Sequence, residues 1–430
     1  MFEIVTLLIV LAAGFGALNH VTLRLPSGVA LTIAGLLASL FILSVDALVP
    51  GWGLADELRE LVLEDIDFTE ALMHGMLSFL LFAGALHTDL RKLTTWFRPI
   101  ATLATVGVLI STALIGLGAS LVFGALGLEV PLLWCFVFGA LVSPTDPVAV
   151  LGIMRAAGAP KSVEIKVVGE SLFNDGVGVV VFTVLLAIAS GGGGDHGHGE
   201  AITAEGVLLL IGVEVVGGIL LGLIAGFLTE RLLRVIDEPN LEVLITFALV
   251  MGVSSLAFAL HSSAPLACVV AGLLIGNPGR DGAMSEDTQT TLDRVWEFVD
   301  EALNAVLFLL VGLEVVAFEF STAALVAAAL MIAINLGARA VSVLVPLAVW
   351  SRFMDFAPGT RPILIWGGIK GGISVALALS LPPFEGREVV LTATYAIVLF
   401  SVLVQGLTVG PLISALDAKD DATPASPEVG

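Results

Sequence analysis

Long apolar runs separated by short polar connections extend from the start of the chain to about residue 415. All of these runs but the shortest, 263–277, are long enough to cross the hydrocarbon core of a bilayer as a helix. The pattern predicts thirteen spans, at roughly 2–20, 26–46, 69–87, 99–124, 130–154, 164–190, 204–229, 241–258, 263–277, 297–317, 321–349, 361–382 and 389–415. We therefore expect an all-α polytopic protein that forms one membrane unit over residues 1–415.

The composition supports this class and narrows the chemistry. With 57% hydrophobic and 13% charged residues and a mean hydropathy of +1.05, the chain has too little polar surface to cover a soluble globule. Residues 2–18 lack the basic flank of a signal peptide, which predicts a retained span. Cys135 and Cys268 sit in apolar runs, as small core residues do. No haem, zinc, nucleotide or hydrolase motif is visible, so we expect no enzyme, no cofactor and no nucleic-acid partner.

The basic residues predict the orientation. With the N-terminus outside, fourteen of the 18 lysines and arginines fall on the inner side, Arg59 and Arg387 fall outside, and Arg339 and Lys370 fall within spans. This distribution satisfies the positive-inside rule. We expect a multi-pass protein of the cell (inner or plasma) membrane, with residues 416–430 as a cytoplasmic tail.

Two external segments carry polar clusters. The segment Asp46–Glu70 holds most of its charge as carboxylates, and the formal net charge of the chain is −21. The simplest explanation for these acidic residues is that they form a solvent-exposed surface. The alternative is that they concentrate cations near the outer side of the protein. His196 and His198 are of a type that binds metal or senses pH, but their glycine-rich loop favours no fixed geometry.

One stretch, Gly169–Phe182, carries carboxylates into an apolar run. At 100° per residue its polar positions share one arc, and the opposite arc is apolar. Carboxylates inside a membrane are rare, and by default they indicate an ion or proton pathway. The arc comprises Glu170, Asn174, Gly178, Ser171 and Asp175 at about 0°, 40°, 80°, 100° and 140°.

Two spans are predicted to be broken near mid-depth. In the fifth, Pro144 and Pro147 remove backbone donors around Thr145 and Asp146, whose oxygens suit a hard cation such as Na⁺ or Li⁺. In the twelfth, the glycines of 366–374 interrupt the run. Paired discontinuities in the two halves of a chain indicate an inverted-repeat transporter with a midplane site.

Buried charges need partners. Arg339 lies about fourteen residues into its span, too deep to reach the interface easily, and we expect it to pair with Glu170. Lys370 is expected to neutralise the broken helix ends, although the two cations can be exchanged in these roles. The pair Asp300 and Asn304 is a further candidate, but its position near the inner interface favours solvated side chains.

At these residues the sequence resembles the monovalent cation/proton antiporters of the NhaP and sodium/proton exchanger group. The resemblance covers the whole chain to about residue 415, and the combination of motifs is specific. The matching motifs are Thr145–Pro147, Gly169–Ser171 with Asn174 and Asp175, the Arg339 segment, and Trp366–Gly368 to Leu381–Pro382. One departure is Lys370, because the family usually has arginine at this position. Lysine keeps the positive charge but lacks the planar guanidinium group and its paired N–H donors.

The resemblance implies an NhaA/NhaP-like antiporter fold with inverted repeats and two discontinuous crossing helices. It also implies a homodimer and an elevator-type motion. The moving core would comprise mainly 99–190 and 321–415, and the dimerisation domain mainly 1–87 and 204–317.

The resemblance also implies roles for individual residues. Asp175 would carry cation and proton in turn, Asn174 would assist, and Glu170 would pair with Arg339. The Na⁺ site would be completed by Thr145, Asp146 and Ser171. Because Asn174 stands where electrogenic relatives have a second aspartate, we expect electroneutral one-for-one exchange of Na⁺ (or Li⁺) for H⁺.

Three other interpretations remain open from the sequence. A K⁺/H⁺ antiporter of the same fold fits the same oxygen ligands. A cation channel fits less well, because a channel needs a continuous pore whereas a single buried aspartate beside broken helices suits alternating access. The protein could also be a membrane sensor or scaffold that transports nothing, but this interpretation does not explain why the fifth and twelfth spans are both interrupted.

Overall fold

The computed structural model describes residues 2–49, 75–191, 206, 209, 211–279, 284–313 and 321–421. Regular structure in these ranges is entirely helical. The α-helices are α1 (Phe2–Val21), α2 (Ser27–Leu48), α3 (Leu77–Leu86), α4 (Leu90–Thr102), α5 (Val108–Ala125), α6 (Leu132–Val142), α7 (Pro147–Ala156), α8 (Lys161–Ala189), α9 (Gly218–Leu233), α10 (Pro239–Ala259), α11 (Ala264–Leu274), α12 (Glu286–Leu313), α13 (Thr322–Trp350), α14 (Thr360–Trp366), α15 (Gly372–Leu379), α16 (Arg387–Phe400) and α17 (Gly406–Asp421).

Several helices continue through π-helical turns, and three of these continuous helices, Leu93–Ala125, Gly212–Leu233 and Arg387–Leu416, are long enough to cross a membrane. These turns are Leu103–Gly107, Gly212–Gly217, Ile275–Gly279 and Ser401–Gln405. Within the described ranges, 7 helical stretches are long and apolar enough to cross a membrane, and shorter apolar helices accompany them. The predicted all-α membrane fold is confirmed.

The two external polar segments singled out from the sequence lie largely outside the described residues. His196 and His198 lie outside the described residues, as does all of the segment Asp46–Glu70 except its first four positions.

The fifth and twelfth spans are each interrupted, as their prolines and glycines predict. The fifth ends as α6 at Val142 and resumes as α7 at Pro147, a first-turn position that suits proline. The twelfth ends as α14 at Trp366 and resumes as α15 at Gly372. The residues between each pair of half-helices are unwound, so their backbone groups need partners other than a helix ladder.

The two unwound segments lie against each other. The backbone N–H of Asp146 donates to the carbonyl oxygen of Ile369 over 2.8 Å. Gly371 permits this approach, because a Cβ atom there would fall against the carboxylate of Asp146. The half-helices of the two spans therefore meet at one crossing point in the interior.

Helix α12 differs from the sequence prediction. It begins at Glu286, well before the predicted start of the span at 297. Its first half carries many charged residues, so the hydropathy pattern did not predict it as part of the span. Leu292 and Trp296 are nevertheless fully buried in this half. Its apolar second half is fixed to α2, since the Ser39 hydroxyl donates to the carbonyl oxygen of Leu313 over 2.7 Å.

Gly371→Ala is expected to destabilise the crossing, because the added methyl group has no space beside the Asp146 carboxylate. We expect a loss of about 1–3 kcal/mol, the usual cost of overpacking. Thermal unfolding of the purified protein in detergent measures it. The matched control is Gly337→Ala in α13, where a Cβ meets nothing within 4 Å and helix propensity favours alanine. Equal melting temperatures for the two variants would show that the crossing tolerates a side chain.

Candidate functional site

Helix α8 carries the predicted polar arc into the interior beside the crossing. Glu170, Ser171, Asn174 and Asp175 are all at most 2% exposed. Gly178 continues the arc, and a Cβ there would strike the ring of Pro144 in the break of the fifth span. The arc and the break are therefore in direct contact, which brings the polar side chains of both together.

Glu170 and Arg339 form a buried, bidentate ion pair. Arg339 Nη1 donates to Glu170 Oε1 over 2.6 Å, and Nη2 donates to Oε2 over 2.8 Å. The guanidinium also donates through Nε and Nη2 to the carbonyl oxygen of Leu364, near the end of α14. Of the two cations considered from the sequence, Arg339 is thus the one that faces Glu170.

Asn174 joins this ion pair to the unwound segment. Its Nδ2 donates to Glu170 Oε1 over 3.1 Å and to Thr145 Oγ1 over 2.8 Å. Its Oδ1 accepts from the backbone N–H of Thr145 over 3.3 Å. The hydroxyl oxygens of Thr145 and Ser171 lie 2.9 Å apart. One hydrogen-bonded chain therefore runs from Arg339 to Ser171.

Lys370 lies at the broken helix ends. Its Nζ donates to the carbonyl oxygen of Ser143 over 2.8 Å, and the side chain is 1% exposed. Ser143 is the C-terminal cap of α6, where the last carbonyl groups carry partial negative charge. A buried ammonium group at this point compensates that charge.

Asp175 is the carboxylate that the network leaves incompletely satisfied. Its Oδ1 is buried and has no hydrogen-bond partner among the described residues. Asp146, Glu170 and Lys370 are close enough to interact electrostatically with it. An unpaired carboxylate oxygen in the interior is costly, and a proton or a cation bound there removes the cost. The oxygens of Asp146, Thr145 and Ser171 supply the type of donor that a hard monovalent cation prefers.

Two supporting residues were missed from the sequence. The backbone N–H of Lys370 donates to Ser401 Oγ over 2.8 Å, and Ser401 in turn donates to Gln405 Oε1. Gln405 Nε2 donates to the carbonyl oxygen of Trp366, so the pair satisfies backbone groups of the twelfth-span break. Two polar residues four apart in the last apolar run were the signal that could have found them.

Asp300 and Asn304 also differ from expectation. Asn304 is buried at 6% exposure, and Asp300 is half-buried, so these side chains are less solvated than their place near the interface suggested.

Comparison with known proteins extends these observations over the whole chain. The profile of the family described as "Sodium/hydrogen exchanger, transmembrane" matches residues 5–415. The Na(+)/H(+) antiporter NhaP of Pseudomonas aeruginosa is 43% identical over 422 residues, which cover 97% of this chain and 97% of that protein. The Na(+)/H(+) antiporter NhaH of Halobacillus aidingensis is 34% identical over 401 residues, 92% of this chain and 93% of that one.

The fold also has a counterpart among solved structures. The sodium proton antiporter MjNhaP1 of Methanocaldococcus jannaschii superposes with a TM-score of 0.74, covering 96% of this chain and 98% of that chain. The two sequences are 19% identical, so this match shows a shared fold.

Arg339→Ala is expected to destabilise the protein by about 3–5 kcal/mol, because it leaves the Glu170 carboxylate buried without its partner. The double variant Glu170→Gln, Arg339→Met should lose less stability than Glu170→Gln and Arg339→Met measured singly and summed, since it removes both charges. Thermal unfolding in detergent measures both. Arg155→Ala is the control: Arg155 Nε lies 3.8 Å from Glu164 Oε1 with its side chain 68% exposed, and its loss should cost under about 1 kcal/mol. Similar losses for Arg339→Ala and Arg155→Ala would contradict a structural role for the buried pair.

Proposed function

The chain belongs to the sodium/hydrogen exchanger family, and on that basis we propose that it exchanges Na⁺ (or Li⁺) for H⁺ across a cell membrane. The observation that carries the proposal is the buried Oδ1 of Asp175, which has no hydrogen-bond partner among the described residues. The NhaP and NhaH relatives are both Na(+)/H(+) antiporters, which supports Na⁺ as the cation.

Exchange follows from competition for one carboxylate. A proton and a cation can each neutralise Asp175, and binding of one displaces the other. If only the neutralised site crosses between the two faces, because an uncompensated charge is too costly to move through a dry interior, then each cation that moves one way is matched by a proton that moves the other way. The exchange is driven by the ion gradients alone and needs no bound cofactor.

The neighbouring residues take separate roles in this mechanism. Asp175 exchanges its proton for Na⁺, while Asn174 holds the Thr145 segment in place. Glu170 with Arg339 is a structural ion pair, and Lys370 compensates charge at the helix ends. The remaining oxygen ligands of Na⁺ come from Thr145, Asp146 and Ser171.

Alternating access is proposed to be of the elevator type. The hydrogen bond between Asp146 and Ile369 and the contact of Lys370 with Ser143 tie both broken spans together, so they can move as one body with α8. That body, mainly 99–190 and 321–415, would move against mainly 1–87 and 204–317, which would also hold two protomers together as a homodimer. The basic residues support an N-terminus outside and a C-terminus in the cytoplasm.

Stoichiometry follows from the number of titrating carriers. Asn174 is an amide and does not titrate at neutral pH, and Glu170 is committed to Arg339. Asp175 is then the one carboxylate that alternates, which gives one proton per cation and no net charge movement. A K⁺/H⁺ antiporter of the same fold stays as the second candidate, because oxygen ligands do not by themselves select Na⁺ over K⁺.

Asp175→Asn is expected to abolish exchange, because an amide binds neither the proton nor the charge of the cation. Dissipation of a pH gradient in proteoliposomes on addition of Na⁺, Li⁺ or K⁺ measures it and also ranks the cations. Asp287→Asn, an exposed aspartate at the start of α12, is the matched control and should keep wild-type rates. Na⁺-dependent proton flux in Asp175→Asn would refute the assignment.

Wild-type exchange is expected to be insensitive to membrane voltage. With K⁺ and valinomycin clamping the potential at zero or at about −100 mV, an electroneutral cycle should keep the same initial rate, whereas moving one net charge would couple about 2.3 kcal/mol into each cycle. A rate that rises or falls severalfold with the clamp would show that a second charge takes part.

A further inference from the structure

One face of α12 turns polar side chains towards the interior. Asp300, Asn304 and Leu307 stand at i, i+4 and i+7, which places them on one stripe of the helix. The neighbouring carboxylates of the same helix, Glu297 and Glu301, are exposed, whereas Asp300 is half-buried. The helix therefore turns one of these three acids inward.

This stripe faces the crossing of the broken spans. A Cβ atom on Gly372 would fall against the side chain of Leu307, and one on the preceding Gly371 would fall against the Asp146 carboxylate. Asp300 lies seven residues before Leu307, about 10 Å along the helix axis. It is thus displaced from the crossing towards the membrane face at which α12 begins.

The Asp300 carboxylate is held in a defined position and lies within electrostatic reach of the site. Asn304 Nδ2 donates to Asp300 Oδ1 over 3.1 Å and to the Asp300 carbonyl oxygen over 2.9 Å. Asp300 shares a stripe of α12 with Leu307, which lies against Gly372 beside the Asp146 carboxylate, so the two carboxylates are near enough to interact electrostatically. Two carboxylates that repel each other at the edge of a buried site are both stabilised when a cation approaches between them.

We infer that Asp300, positioned by Asn304, is a cation-recruiting residue: a carboxylate on α12 that attracts the monovalent cation at the inner mouth before it reaches Asp146 and Asp175. This inference rests on the proposed antiport function and adds a residue to it. Asp300 makes no contact with the bound cation at Asp175 in this role. It raises the local cation concentration and so acts on the apparent affinity.

A purely structural role for Asp300 makes a different prediction. If the carboxylate only terminated the Asn304 hydrogen bonds, an isosteric amide would change stability or turnover and leave the cation affinity unchanged. If the negative charge of Asp300 attracts the cation, its loss changes KM. It then affects capture of the cation and not the later step in which the cation-bound site moves between the two faces. Separate measurement of KM and kcat therefore distinguishes a structural role for Asp300 from a cation-recruiting role.

The test uses everted membrane vesicles, in which the inner face is outside, and measures initial rates of proton movement against Na⁺ concentration at fixed pH. Asp300→Asn should raise KM for Na⁺ about three- to tenfold, as expected for one charge acting over about 10 Å at a dielectric constant of about 25 to 50, with kcat within about twofold. Asp300→Glu should restore most of the affinity. Glu301→Gln removes the same charge from the adjacent exposed position, and its KM should stay at the wild-type value.

Several outcomes overturn the inference. A KM in Asp300→Asn equal to that of Glu301→Gln does so, and so does a fall in kcat at unchanged KM. If Asp300→Asn fails to assemble, Asp300→Ser is measured in its place against the same criteria. Wild type and Asp175→Asn run in the same vesicles: no Na⁺-dependent flux in wild type would instead refute the proposed function.

Discussion

A charge in the interior of a membrane protein must be neutralised, and the centre of this molecule is organised by that constraint. The Arg339 guanidinium neutralises Glu170 through two hydrogen bonds, and the Lys370 ammonium group faces the carbonyl oxygen at the end of α6. Both cations are thereby committed to fixed partners. Asp175 is left with a buried oxygen that no described residue satisfies, and in the proposed mechanism it is the group on which the mobile ion acts.

Further hydrogen bonds fix the position of the ion pair relative to the two unwound segments. Asn174 touches both Glu170 and Thr145, so the rigid ion pair and the unwound oxygen donors cannot shift independently. The contact between Asp146 and Ile369 fixes one broken span to the other. The candidate site is therefore a single hydrogen-bonded unit built from α8 and two helix breaks, as a carrier that moves its site as a body requires.

Much of this arrangement follows from local sequence. Pro144 and Pro147 remove donors, the glycines of the twelfth span interrupt it, and the period of α8 puts Glu170 and Asp175 on one arc, so the breaks and the arc were predictable from the residues. The sequence also predicted that Arg339 pairs with Glu170, and the structure has this ion pair. It left Lys370 open as an alternative partner, because the choice depends on which helix ends pack together.

Other features depend on tertiary packing that a single sequence hides. The first half of α12 is charged enough to look like a connection, although it packs Leu292 and Trp296 into the interior. The inward turn of Asp300 follows from that packing and not from its depth in the sequence. Ser401 and Gln405 gain their role only because the last apolar run lies beside the break at Lys370.

Proton release on Na⁺ binding to the purified protein tests the central claim, competition at Asp175, most directly. In weak buffer with a pH indicator, wild type should release about one proton per Na⁺ bound. In the acidic range its apparent Kd for Na⁺ should rise about tenfold for each unit by which the pH falls. Na⁺ binding with no proton release and with a Kd independent of pH would contradict the account.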